Sequence, residues 1–335
     1  MIAITGGGTG GHLSIAKAIA NELKNSGEDL IFIGSQNGQD KFWFENDEVF
    51  SQKYFLSSSG VVNKKGFNKF KSAFNILKLS LSCIKIFKKH KIKAVFSVGG
   101  YSSAPASIAA ILSRKKFFIH EQNAIIGRLN LILKPFCAKF FSSYIQNPYD
   151  YPVNKKFFDT ARIRNKLDTI LFLGGSQGAK FINELALNLA PNLTAQNIKI
   201  IHQCGKNEYE EVCQKYKNLG IEAEVFAFSK EIEKYMQKAD LCISRSGASS
   251  LWELCANLLP SVFIPYPYAA NNHQFFNAKF LQDKHLTQIY EQKDIKFDDF
   301  LKNILKININ QISLGLKDII SPCGAEKIVN EILKI

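Results

Sequence analysis

Ile2-Ala3-Ile4-Thr5-Gly6-Gly7-Gly8-Thr9-Gly10-Gly11-His12 and Thr169-Ile170-Leu171-Phe172-Leu173-Gly174-Gly175-Ser176-Gln177-Gly178-Ala179 repeat one pattern: a short apolar run, a glycine loop, then a helical stretch. The helices are expected to run to about Lys24 and through Leu189. A brief, wholly apolar run stopped by glycine reads as a strand buried on both faces. Outward from these two anchors, further apolar runs at Leu30–Ile33, Ala94–Val98, Phe117–Ile119, Ile198–His202, Ala223–Phe226, Leu241–Ser244 and Ser261–Pro265 alternate with helical segments. That alternation predicts parallel α/β sheets. The expected fold class is therefore α/β, with two Rossmann-like, doubly wound domains facing each other. The proline-bearing stretch Gln146–Pro152 suits a linker. The expected division is 1–152, 153–317 and a C-terminal helix, 318–335, packing back on the first domain.

In such sheets ligands sit beyond the carboxyl ends of the strands, where a glycine loop lets backbone N–H groups approach phosphate at a helix N-terminus. Gly6, Gly8 and Gly11 satisfy G-x-G-x-x-G, so a dinucleotide site is the obvious rival. That reading needs an acid near the end of the second strand to hold the ribose, and Leu30–Ile33 runs instead into Gly34-Ser35-Gln36. A P-loop is excluded as well, because Gly205-Lys206-Asn207 lacks the upstream spacing and the Ser/Thr.

The 335 residues are 46% apolar and 21% charged, enough for a large core without staples. No uncharged apolar run is long enough to span a bilayer, and the opening residues lack the charged region of a signal peptide, so a cytoplasmic location is expected. Seven cysteines with no C-x-x-C pair fit reduced, buried thiols better than a disulfide framework or a zinc site. The net charge of +14 is lopsided: residues 1–155 hold 21 Lys/Arg against 9 Asp/Glu, residues 156–335 hold 22 against 20. A Lys-rich, Arg-poor basic half without a nucleic-acid motif points to anionic lipid, not nucleic acid.

Six motifs sharpen the reading: Gly7–His12, Gly99-Gly100-Tyr101, His120-Glu121-Gln122-Asn123 with Gly127-Arg128, Gly174–Ala179, Ser244–Ala248 with Glu253, and His273-Gln274 with Asn277. In this order they resemble the MurG family, glycosyltransferases of family 28 that move N-acetylglucosamine from UDP-GlcNAc to undecaprenyl-diphospho-muramoylpentapeptide. The resemblance spans nearly the whole chain. It implies the GT-B architecture, two Rossmann-like domains across a cleft, and a membrane-surface enzyme of peptidoglycan synthesis at the cytoplasmic face of the inner membrane.

The resemblance also implies roles. Glu253 would bind the donor ribose, with a solvated helix glutamate as the alternative. Ala248, Ser249 and Ser250 open that helix toward the diphosphate, joined by Ser176 and Gln177 of the second glycine loop. Phe228 and Ser229 match the uracil segment, although Phe228 also reads as plain core. His273 and Gln274 match the sugar-recognising loop, with Gln274 on the hydroxyls that separate gluco from galacto. The acceptor diphosphate would rest on the first loop, through Gly8, Thr9 and Gly10. Thr9, Gly10, Gly11 and His12 would also reach the donor. His12 is the preferred base, since imidazole accepts a proton near neutral pH; phosphate binding or helix capping is its alternative. Glu121 is the second candidate base, Asn123 would bridge donor and acceptor, and Tyr101 would shape the acceptor pocket. Without a D-x-D motif or acidic cluster, no metal or cofactor is expected. The family's arginine after Asn-Pro-Val is missing from Asn147-Pro148-Tyr149-Asp150, leaving Arg162, Arg164 and Arg245 as candidates for its role.

From Lys64 to Lys93 ten lysines and no acid interleave with apolar residues, a surface suited to anionic lipid, with Val61–Phe74 the preferred membrane contact. Rival readings are a diacylglycerol glycosyltransferase, a UDP-GlcNAc 2-epimerase and a non-catalytic sugar-nucleotide sensor.

Overall fold

The computed structural model describes residues 1–58, 67–146, 148–175 and 178–334, with 67–70 as backbone only. The chain forms two compact units, Met1–Val153 with the terminal segment from Cys323, and Asn154–Pro322.

The first unit is a six-stranded parallel sheet of β1 (Ile2–Thr5), β2 (Leu30–Ser35), β3 (Gln52–Leu56), β4 (Ala94–Ser97), β5 (Lys116–Glu121) and β6 (Lys139–Ser142), ordered 3-2-1-4-5-6. The second unit holds β7 (Thr169–Leu173), β8 (Lys199–Gln203), β9 (Glu224–Phe226), β10 (Leu241–Ser244), β11 (Ser261–Phe263) and β12 (Thr287–Ile289), ordered 12-11-10-7-8-9. Counted from its own first strand, the second sheet has the same order as the first. The chain reverses its winding between β1 and β4, and between β7 and β10, and at such switch points the loops part to leave a ligand crevice.

Central strands β1 and β2 are buried along their whole length, as parallel strands covered on both faces must be. Ala3, Ile31, Ile33, Val95 and Ile119 pack against Cys83 and Phe87 of helix Phe67–Lys89 and Ala106, Ala109 and Ala110 of helix Ala104–Leu112. Each large aliphatic side chain so covered contributes about 1.5–3 kcal/mol. The second core repeats the plan, with Ile170, Phe172 and Ile243 against Ile182, Leu185 and Leu189 of helix Lys180–Ala195. Helix Gly10–Asn25 turns Leu13, Ala16, Ala20 and Leu23 to the sheet. It stops where Gly27 takes φ +84° and the Glu28 N–H reaches back to the Leu23 carbonyl, a left-handed cap. Helix Gly324–Leu333 packs on this helix, tied down by Lys139–Glu331 at 2.5 Å and Lys327–Asp150 at 2.8 Å.

Strands β3, β6 and β12 are additions to the sequence reading. All three lie on sheet edges, where one side needs no partner and a mixed segment such as Gln52-Lys53-Tyr54-Phe55-Leu56 suffices. Among the described residues no helix is long and apolar enough to cross a membrane.

Candidate functional site

In the first unit three loops interlock at the carboxyl edge. Gly6, Gly7 and Gly8 all have positive φ, and the Gly7 N–H bonds the Gly99 carbonyl at 3.2 Å. A methyl on Gly8 would stand 2.7 Å from the Tyr101 ring, so the loop after β1 and the loop after β4 leave no room for a side chain. The Tyr101 hydroxyl donates to the Asn37 carbonyl at 2.5 Å, drawing in the loop after β2. Beneath them lies Asp40, fully buried, whose carboxylate accepts from the N–H groups of Gly8 and, at 2.8 Å, Ser35. Burial pushes the Asp40 carboxyl above its usual range, opposed by those two N–H groups. The Tyr101 phenol is raised as well, by burial first, with Ser35 opposing and Asp40 adding to the rise.

The Gly7 and Gly8 N–H groups are spent inside the protein, and the helix that follows opens at Gly10. Thr9 is extended there and makes no side-chain cap. Its hydroxyl lies 2.9 Å from Nδ1 of half-buried His12. Gln122 Nε2 lies 3.0 Å from His12 Nε2 and 3.3 Å from its Nδ1. The loop after β1 therefore meets the loop after β5 at a histidine.

Alternation along β5 sends neighbours to opposite faces. His120 is buried, with its ring edge-on to Tyr151, and neither nitrogen has a hydrogen-bond partner among the described residues. Burial, then the nearby His12, pushes its pKa down to about 3, so the ring is neutral. Glu121 accepts at Oε1 from the Asn123 N–H at 2.9 Å, and at Oε2 from the Gly127 N–H at 2.9 Å and Asn130 Nδ2 at 2.8 Å. Both oxygens serve to fold the 122–127 loop. Glu121 is thus bonded to its own loop, and it fixes the backbone that presents half-buried Asn123.

In the second unit the expected residues that the structure describes lie on the loops and helix starts after β9, β10 and β11, at the carboxyl edge. Gly175 and Gly178 take φ +78°, while Ser176 and Gln177 lie outside the described residues, as does Asn147. Gly247 is the N-cap of helix Ala248–Ala256 and supplies no side chain to its first turn, whose N–H groups belong to Ala248, Ser249 and Ser250. Backbone donors at an uncapped helix start form a natural anion seat. One turn on, half-buried Glu253 is pushed up to about 8 by burial, Lys156 opposing and Glu233 adding to the rise. Lys156 and Glu233 pair at 2.6 Å, a neighbourhood that no local motif announces.

Phe228 is half-buried, and Ser229 Oγ accepts from the Glu231 N–H at 3.0 Å. Gln274 Oε1 accepts from the Tyr266 N–H at 2.9 Å and His273 Nδ1 lies 2.9 Å from the Ala270 carbonyl. These two side chains brace the 266–274 loop, whose Tyr268 is 82% exposed. Buried Asn277 joins that loop's helix to the Ser246 carbonyl at 3.2 Å.

Two arginine candidates are ruled out by position. Arg164 is fully buried at the amino ends of the strands, its guanidinium holding the carbonyls of Ala239, Met236 and Asn257; burial first, then Arg162, lowers its pKa to about 9. Arg162 pairs with Asp240 at 2.7 Å beside it. Both stand at the wrong end of the sheet for a ligand. Arg245 follows β10 on the carboxyl side, bonded to the carbonyls of Ile264 and Pro265 at 3.0 and 3.1 Å, and its buried Nε has no partner among the described residues. Among those residues no three His, Cys, Asp or Glu side chains gather as a metal site.

Two Rossmann-like units, each with its polar loops at the carboxyl edge, define the GT-B class of glycosyltransferases. Over the full chain the fold matches the crystal structure of Acinetobacter baumannii MurG, with TM-score 0.78, 26% identity and 99% of that chain covered. Spinosyn rhamnosyltransferase SpnG shares the fold alone, at TM-score 0.65 and 11% identity, with 98% of this chain and 99% of that one covered. Residues 2–142 match the glycosyltransferase family 28 N-terminal domain and residues 169–318 its C-terminal domain. The chain is 64% identical over the full length of both chains to the UDP-N-acetylglucosamine--N-acetylmuramyl-(pentapeptide) pyrophosphoryl-undecaprenol N-acetylglucosamine transferase of Campylobacter fetus subsp. fetus (strain 82-40). It is 49% identical to the Sulfurovum sp. (strain NBC37-1) enzyme of the same name, over 98% of this chain and 97% of that one. The chain belongs to the MurG family of glycosyltransferase family 28.

Proposed function

We propose that the protein transfers N-acetylglucosamine from UDP-GlcNAc, held by the second unit, to the 4-hydroxyl of undecaprenyl-diphospho-MurNAc-pentapeptide, held by the first. The product is the β-1,4-linked lipid-bound disaccharide, with UDP released. The observation that carries this reading is half-buried His12, opening a helix at the carboxyl edge and flanked by Thr9 and Gln122. The acceptor hydroxyl gives its proton to His12 as its oxygen bonds to the anomeric carbon. The bond from that carbon to the UDP oxygen breaks with inversion, and the electron pair leaves with UDP. The step balances without a cofactor.

Charge growing on the leaving diphosphate meets the first N–H groups of helix Ala248–Ala256 together with Ser176 and Gln177. Glu253 takes the ribose hydroxyls, Phe228 and Ser229 the uracil, and His273 and Gln274 the sugar. The acceptor diphosphate lies at Thr9 and Gly10, and Tyr101 and Asn123 border the muramyl group. Glu121 acts by positioning Asn123.

Attachment to the cytoplasmic face of the inner membrane is peripheral in this proposal. Helix Phe67–Lys89 supports it: Phe74, Leu77 and Leu81 are 73%, 49% and 54% exposed on one stripe, with Lys71, Lys78 and Lys85 exposed on the same helix. The expected loop contact at Val61–Phe74 falls largely outside the described residues. Each lysine near anionic lipid contributes about 1 kcal/mol.

The deciding assay supplies radiolabelled UDP-GlcNAc with the muramyl lipid, with diacylglycerol, or with no acceptor. Label entering the organic phase only with the muramyl lipid supports the proposal. Labelled diacylglycerol, or UDP-ManNAc formed without acceptor, overturns it.

A further inference from the structure

Asp40 is wholly buried, so it cannot touch a substrate, yet both of its carboxylate oxygens are bonded to main chain. Oδ1 accepts from the Gly8 N–H and Oδ2 from the Ser35 N–H at 2.8 Å. The fit on either side is close: a methyl on Gly7 would stand 2.5 Å from Oδ1, and one on Gly34 would stand 2.7 Å from Oδ2. Ser35 Oγ accepts in turn from the Asn37 N–H at 3.0 Å, and the Asn37 carbonyl accepts from the Tyr101 hydroxyl. One acid thereby joins the loop after β1 to the loop after β2, and through it to the loop after β4. Desolvating a carboxylate is costly, and an apolar filler would avoid that cost, so the residue is explained by what it holds. Both oxygens of a carboxylate accept, whereas an amide of the same shape would turn an NH2 group on one of the two donors.

What it holds is the approach to His12. Gly6, Gly7 and Gly8 run in succession at φ +115°, +151° and +87°, and Thr9 and the helix start bearing His12 follow directly. Consecutive glycines have little conformational preference of their own, so the path of this turn must be imposed by its neighbours. The Gly99 carbonyl fixes the Gly7 N–H, and Asp40 fixes the Gly8 N–H. We propose that Asp40 is a positioning residue for the transfer, a tether on the glycine turn that sets where Thr9 and His12 stand relative to the acceptor hydroxyl. The inference rests on the reading of His12 as base. Misplacing a reacting group by about 1 Å costs on the order of 10²-fold in rate, and a slack glycine turn permits a shift of that size.

The test is a double-mutant cycle in the full chain. Asp40→Asn keeps the volume and removes one of the two acceptors. Its kcat with the muramyl lipid should fall on the order of 10²-fold, while UDP-GlcNAc binding measured by calorimetry holds. In a His12→Ala background the same change should cost about twofold or less, because no base is left to misplace. A merely structural role would lower turnover equally in both backgrounds. An equal loss in both, or full turnover in Asp40→Asn, overturns the proposal. If the asparagine variant loses its cooperative melt, Asp40→Ser, which leaves room for a water between the two N–H groups, goes through the same cycle and is judged by the same outcomes. The tether is read apart from the reaction by the amide proton of Gly8, which a carboxylate acceptor holds downfield and which should move upfield in Asp40→Asn. An unmoved Gly8 signal overturns the tether. Undiminished turnover in His12→Ala would instead overturn the base reading, and the Gly8 signal then reports the tether by itself.

Discussion

The two glycine loops share a topology and differ in how they are built. After β1 the loop is closed: it is welded to the loops after β2 and β4, two of its N–H groups are spent internally, and it delivers an imidazole. After β7 the described residues are tight at both ends, where methyls on Gly174 and Gly178 would stand 2.7 and 2.5 Å from backbone atoms, but a methyl on Gly175 would meet nothing within 4 Å, and Gly247 leaves the helix start it caps without a side chain. In the proposed reaction one sheet edge places the proton acceptor and the other receives the charged diphosphate. A common fold therefore sets where chemistry happens in each unit, and the loops decide which chemistry it is.

The largest expected effect tests that division at His12. His12→Ala should lower kcat by about 10²–10⁴-fold, the usual worth of a general base, without weakening UDP-GlcNAc binding measured by calorimetry. Weakened donor binding with undiminished turnover would make the first loop a binding element like the second.

Next comes the contrast in rigidity. Gly100 and Gly175 both have φ +78°, but a methyl on Gly100 would press on the Gly7 carbonyl. Gly100→Ala should cost about 3 kcal/mol or more and Gly175→Ala only about 1 kcal/mol, compared by urea melts. Equal losses would abolish the distinction between a closed loop and an open one.

At the donor side, Glu253→Gln should weaken UDP-GlcNAc binding by about 1.5–3 kcal/mol above about pH 8, where the carboxyl is ionised, through lost charge-assisted hydrogen bonds, and by less at lower pH. The same variant carries a pH signature. A carboxyl near 8 in the folded chain and near its ordinary value of 4.5 when unfolded costs nothing below 4.5; the penalty grows as pH rises and is complete above about 8. The Tm advantage of Glu253→Gln over the parent should therefore widen between those pH values, and parallel Tm curves would contradict the raised pKa. The smallest effect is expected at the membrane face, where Lys78→Glu should weaken sedimentation with anionic vesicles by at least about 1 kcal/mol. An equal loss from a lysine of the second unit, such as Lys215, would show that attachment is not particular to the basic half.

Much of this was legible in the chain. Apolar runs stopped by glycine mark buried strands wherever they occur, so β1, β7 and the central strands announced both sheets, and ordered motifs announced the family. Edge strands gave little signal because half of each needs no burial. Candidate site residues were legible where a motif is local, as at His12 and Glu253. Contacts between residues far apart in sequence were not. Asp40 acts on Gly8 across 32 residues, and the acid sought at the end of β2 was present a few positions later, turned to the backbone instead of a ribose. Glu121, a candidate base in the sequence, also accepts from its own loop with both oxygens. Arg164 looked available and is sealed under the second sheet.

Sequence by itself determined the alternation of strand and helix, the two glycine loops and the uneven charge, because each depends on residues near one another along the chain. Only the tertiary structure decided which donors face which acceptors: that Gly8 spends its N–H on Asp40, that Glu121 folds its own loop, and that Gln122 meets His12. Hydrogen bonds are directional and short, so a residue's role is set by the few groups the fold brings within about 3 Å of it.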